Sequence, residues 1–187
     1  MSAINCPMPS GSEADRLFKQ AYEKFASTLA IDPQDPEALY VWGKVLSAQV
    51  EIKSGAEADE LFRQAYEKHD AAVAINRDLP LAFHYWGLSL MAQAKALGTA
   101  EKGQRKMLLN LAKEEMLKSE SIAPGDGTYD LACISTLLGK EQECLDWLTK
   151  GRDLGTLPDR EYLEKDSDLD SIRTTKWFLQ FKESLNR

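Results

Sequence analysis

The sequence predicts an all-α protein, a short solenoid of antiparallel helix pairs closed by a C-terminal cap helix. Three observations lead there. Apolar residues recur at three-to-four spacing along most of the chain, and the period-two alternation of strands is nowhere evident. One stretch is written twice: Asp15 to Asp32, DRLFKQAYEKFASTLAID, returns as Asp59 to Asn76, DELFRQAYEKHDAAVAIN, with ten of eighteen positions identical. The interval is constant, because Pro36, Trp42 and Gly43 reappear 44 residues later as Pro80, Trp86 and Gly87. A fixed period of this size marks a repeated supersecondary unit that buries its apolar face only against its neighbours.

Residues 1–11 show no helical periodicity and are expected to form a flexible tail. The first helix is predicted from Ser12 to Ile31, with Leu17/Phe18, Ala21/Tyr22, Phe25 and Leu29 on one face. Asp32-Pro33 ends it, since proline cannot continue the hydrogen-bond ladder, so 12–33 forms a half-unit. Pro36 suits a first helical turn, and Leu39, Trp42/Gly43 and Leu46 follow along one side. With the copy of the first helix this makes a unit at about 36–77, and a second unit at about 80–122 repeats it. Glycine inside a helix costs about 1 kcal/mol against alanine. Its recurrence beside tryptophan, at Gly43 and Gly87, therefore points to close helix–helix approach. A fainter third copy at 125–154 places Gly139 at a tight inter-helix turn. The remainder, 158–187, carries Ile172, Trp177/Phe178, Phe181 and Leu185 at helical spacing. A stack of repeats leaves its last apolar face open, so this segment is read as a cap.

These features resemble the tetratricopeptide repeat (TPR), a helix–turn–helix unit of about 34 residues. The family's large apolar residue followed by Gly or Ala is matched by Trp42-Gly43, Trp86-Gly87 and Leu131-Ala132. Its small residue in the second helix is matched by Ala65, Ala112 and Cys144, with Ala21 in the half-unit. Its closing proline is matched by Pro33 and Pro124, whereas Arg77 stands at the intervening place. The resemblance spans Ser12 to Gly151, and the first two units exceed the family length by about ten residues, in VEIKSGAEADE and LGTAEKGQRK.

The resemblance implies a right-handed superhelix that is a non-catalytic protein–protein interaction module or scaffold. Its partner, a peptide or helix, would lie in a concave groove. By family register the groove-facing positions are Tyr40, Lys44 and Ser47, then Leu81, His84, Leu88 and Met91, then Asp126, Tyr129, Cys133 and Thr136. The candidate partner-binding residues are Tyr40, Lys44, His84, Leu88, Met91, Tyr129 and Cys133, with the aromatic ones expected side by side in a mostly apolar strip. A subclass of the family clamps the C-terminal carboxylate of heat-shock chaperones through Lys, Asn and Arg at set groove positions. Here the matching places carry Tyr40, Lys44, Tyr85, Asp126 and Asp130, which disfavours such tails. The alternative is self-assembly into a homo-oligomer through the same groove or an exposed edge.

Charge and composition narrow the partners. A net charge of −7 and a pI of about 5.0 give no general attraction to a phosphate backbone, so nucleic acid is not expected. Cys6, Cys133 and Cys144 lack the spacing of a disulfide framework, which suits a reducing compartment. The start, MSAINCPMPSGS, has no signal-peptide character, and apolar runs are far short of a membrane span. A cytoplasmic protein is expected.

Catalytic chemistry is not expected, and neither is a cofactor or metal. Gly98 to Lys106, GTAEKGQRK, has two glycines at phosphate-loop spacing but lacks the Lys-Ser/Thr that must follow. Asp166, Asp168 and Asp170 open like a calcium loop, yet Ser171 and Trp177 stand where Gly and Glu are needed. They are read instead as a turn and the N-cap of the last helix. His69 and His84 are the only histidines, too few for a zinc site. Cys133 and Cys144 are read as small buried residues.

Overall fold

The structure, a computed structural model, describes residues 11–98 and 101–185. Cys6 and nearly all of the predicted tail lie outside the described residues. Every regular element among them is helical. The helices are α1 (Gly11–Ile31), α2 (Pro36–Gln49), α3 (Ala56–Ile75), α4 (Pro80–Ala96), α5 (Lys102–Ile122), α6 (Thr128–Leu137), α7 (Glu141–Leu154), α8 (Arg160–Lys165) and α9 (Lys176–Ser184). Short 3₁₀ turns at Val50–Ile52 and Ser167–Leu169 follow α2 and α8. Among the described residues no helix is long and apolar enough to cross a membrane.

Punctuation follows the sequence closely. Asp35 caps α2, its carboxylate accepting from the amides of Glu37 and Ala38, and Pro36 occupies the first turn. Gly139, at φ +73°, lets α6 turn tightly into α7, with its amide on Thr136 O and that of Lys140 on Ser135 O. The surplus residues of the first two units go into the helices. Alpha-3 has 20 residues and α5 has 21, against 10 in α6 and 14 in α7.

From α1 to α7 each helix packs on its chain neighbours, and α2 also packs on α4. Gly43 and Gly87 permit close approach of neighbouring helices. A methyl at Gly43 would come within 2.6 Å of the His69 ring, and one at Gly87 within 2.9 Å of Met116 Cγ. His69 is wholly buried, its ring stacked on Trp86 at 6.4 Å. At α1, Tyr22 and Phe25 stack on Trp42 at 6.1 and 5.8 Å.

The main core lies in the C-terminal half, around Leu109, Met116, Leu131, Ile134, Cys144 and Leu148. The cap completes it, but as two short helices and a turn instead of one helix. Leu163, Leu169, Ile172, Phe178 and Phe181 are all buried against the α6–α7 unit, and Trp177 is half-buried beside them. The aspartate run does not cap the last helix. Asp166 accepts from the amide of Asp168 and so starts the 3₁₀ turn, while Thr175 caps α9 through the amide of Phe178. The reason is distance in sequence: four residues after Asp170 are spent turning the chain before α9 begins.

Candidate functional site

A cleft of about 450 Å³ opens between α4, α6 and the α8–turn segment of the cap. Its first wall is a helical stripe: Leu88, Met91, Ala92 and Lys95 recur at three-to-four spacing on α4. The second is Tyr129, Asp130 and Cys133 of α6, and Glu51 reaches the edge from the 3₁₀ turn after α2. Tyr162, Asp166 and Asp168 close it from the cap.

The polar groups are coupled. Tyr129 donates its hydroxyl to Asp166 Oδ2 at 2.6 Å, and its ring meets that of Tyr162 edge-on at 5.9 Å. The Cys133 thiol lies 3.9 Å from the same carboxylate oxygen. Lys95 holds Asp168 at 2.7 Å, while Asp130 faces His84 Nε2 at a looser 3.7 Å. The titrations follow from this crowding. Burial pushes the Asp130 carboxyl up, and Asp166 and Asp168 push the same way against His84. Burial and the same acids hold the Cys133 thiol well above its ordinary value. Tyr129 and Tyr162 are raised too, chiefly by burial.

Sulfur and oxygen atoms of Cys133, Asp166 and Asp168 lie within 4.8 Å of one another, the spacing of a small cation site. Those atoms are already engaged, Asp168 by Lys95 and Asp166 by Tyr129 and Cys133. A thiol pushed up by burial and by three neighbouring carboxylates is a poor thiolate ligand.

Four of the seven sequence-predicted residues meet here: Leu88, Met91, Tyr129 and Cys133. Met91 and Cys133 form its buried base, at 6% and 1% exposure, and Leu88 and Tyr129 are half-buried. The other three stand apart from the lining. Tyr40 is buried and stacks on Tyr85 at 5.6 Å, so it belongs to the α2–α4 interface, not to an open strip. Lys44 is exposed, its ammonium 4.3 Å over the Tyr85 ring and 3.1 Å from the hydroxyl. His84 is half-buried, edge-on to Tyr85 and set behind Asp130. Of the expected row of Tyr40, His84 and Tyr129, Tyr129 lines the cleft, while Tyr85, one residue beyond the position equivalent to Tyr40, takes the stacking place beside Tyr40.

The cleft also carries charge, from Lys95 on α4 and from the acids of α6 and the cap. Sequence reasoning missed Glu51, Lys95, Tyr162, Asp166 and Asp168 as lining residues. One signal was present: the acid run of the cap and Asp130 share a charge sign, so the chain had to separate them or hold them near a cation. The chain matches no model of a known protein family and no curated protein.

Proposed function

We propose that this chain is a non-catalytic interaction module, a short right-handed superhelix of tetratricopeptide type whose cleft receives a segment of a protein partner. The observation that carries the reading is the cleft itself. Apolar Leu88, Met91 and Ala92 and the rings of Tyr129 and Tyr162 converge on one recess of about 450 Å³. The helix order supports the superhelix, since each helix packs on its chain neighbours and α2 on α4. Non-catalytic action is supported by the state of the nucleophiles and bases. Cys133 is held protonated by burial and acids, and His69 is neutral inside the core.

The test uses peptide display on the full chain, with Leu88→Asp and Tyr162→Ala as comparisons. Leu88→Asp puts a charge where a partner must be desolvated. Tyr162 is 55% exposed, so its loss leaves the core intact. Both variants should lose peptide capture, Tyr162→Ala with an unchanged melt. Retained capture by a folded Tyr162→Ala variant contradicts the reading. Light scattering separates the rival, self-association, which requires a mass that rises with concentration.

A further inference from the structure

Resting on the cleft being a docking site, we infer that its occupant presents an arginine or lysine flanked by apolar residues, with the cationic head seated between Asp130 and the Tyr129–Tyr162 ring pair. Charge complementarity selects this occupant. Among the described residues four carboxylates face the cleft, from Glu51, Asp130, Asp166 and Asp168, against the single ammonium of Lys95. Lys95 is committed to Asp168 and the Tyr129 hydroxyl to Asp166, and the basic group that faces Asp130 among the described residues is the His84 imidazole, at 3.7 Å. Asp130 is also half-buried, its side chain 23% exposed, so water solvates it only in part. A carboxylate in that position gains most from a ligand that brings its own donors.

The walls fit the rest of such a side chain. Tyr129 and Tyr162 stand edge-on at 5.9 Å, and Tyr162 is exposed at the mouth, where a ring face can cover a cation. Leu88 and Ala92 offer apolar surface to the methylene stem and to neighbouring apolar residues of the partner. An acidic or C-terminal carboxylate ligand meets repulsion from the same four groups. A divalent ion is the less favoured occupant, because its strongest ligands, Asp166 and Asp168, would first have to release Tyr129 and Lys95.

The experiment is panning of a random peptide library on the immobilised full chain, followed by fluorescence anisotropy with the enriched peptides. A basic residue should be enriched at one fixed place between apolar ones. Its replacement by norleucine should weaken binding roughly tenfold, the scale of a partly desolvated charge pair. Asp130→Asn should weaken the basic peptide by the same factor and leave the norleucine peptide unchanged, with no loss in melting temperature. Added salt should weaken the basic peptide alone. Enriched peptides that need Tyr162 yet carry no basic residue overturn this inference and spare the docking reading. Failure to enrich any peptide that depends on Tyr162 overturns both. Calorimetry with zinc or calcium chloride forms the third arm: ion binding lost in Asp166→Asn, and excluding the peptide, makes the cleft a cation site and overturns the inference.

Discussion

His69 should make the protein acid-sensitive in a way that one substitution removes. Its ring is wholly buried between Trp86 and the backbone at Gly43, and its Nε2 lies 3.0 Å from Ser89 Oγ. The Ser89 proton is committed to Tyr85 O at 2.9 Å, and Ser47 donates into Ser89 Oγ at 2.7 Å. His69 must therefore donate from Nε2, which leaves Nδ1 unprotonated and without a partner. A second proton would sit on Nδ1, desolvated and unbonded, and burial accordingly lowers the folded pKa to about 3. Unfolded, the ring titrates at its ordinary value of about 6.5. Between these values the unfolded chain binds more protons, so the stability is complete above about pH 6.5 and is lost as pH falls toward 3. At about 1.4 kcal/mol per pH unit, moving to pH 5 costs about 2 kcal/mol from this residue alone. Urea unfolding of the wild type and His69→Gln at pH 7.5 and 5 measures it. The variant is less stable at pH 7.5 through lost stacking, but its loss on acidification should be smaller by about 2 kcal/mol. Parallel losses in the two proteins would refute the reasoning.

Three further outcomes are expected. Gly43→Ala forces a methyl to within 2.6 Å of the enclosed His69 ring. Overpacking of about 1–3 kcal/mol, less about 1 kcal/mol of helix propensity, should lower the melting temperature by several degrees, and an unchanged or raised melt contradicts the close approach. Phe178→Ala, at a wholly buried cap position, should cost about 3–5 kcal/mol, and deletion of Asp168 to Arg187 should cause aggregation; a truncated chain that melts unchanged removes the cap reading. In a Cys6→Ser background, Cys144, pushed up by burial to about 11, and Cys133, held by burial and the nearby acids well above its ordinary value, should resist iodoacetamide at pH 8 until denaturant is added. Mass spectrometry of the labelled protein checks this, and rapid native labelling counts against it.

Much of the helical fold was legible because its signals are local. Pro36 and Pro80 open helices at their first turns, and Gly139 has the positive φ that a tight turn requires. The recurrence of Gly43 and Gly87 beside tryptophan implied contact between helices, which the structure bears out. The partners in those contacts were not legible. One glycine admits an imidazole ring and the other a methionine, although each follows a tryptophan at the same place in its unit. Which side chain arrives depends on the residue facing it from the next helix, and His69 and Met116 belong to copies that have diverged. The form of the cap escaped for a similar reason. Apolar spacing marks what must be buried, and both α9 alone and the pair α8–α9 satisfy that requirement, so the split at the Ser167–Leu169 turn needed tertiary information.

The cleft divides along the same line. Helical register is local, so positions on α4 and α6 could be assigned to a common side, and Leu88, Met91, Tyr129 and Cys133 do meet. Its charge is non-local. Asp166 and Asp168 come from a segment outside the repeat, folded back so that Asp166 reaches Tyr129 across 37 residues and Asp168 reaches Lys95 across 73. The cap thus does two separable things. Leu163, Ile172 and Phe178 seal the apolar end of the α6–α7 unit, while the short 3₁₀ turn between α8 and α9 carries carboxylates to the cleft mouth. Sealing alone requires no acid there, and the Asp130 carboxyl is pushed up by burial, with Asp166 and Asp168 acting in the same direction. Cap stability and cleft electrostatics should accordingly respond to different substitutions. Changes at Phe178 should act on melting, whereas Asp130→Asn should leave melting equal or higher and weaken only the proposed docking of a basic peptide.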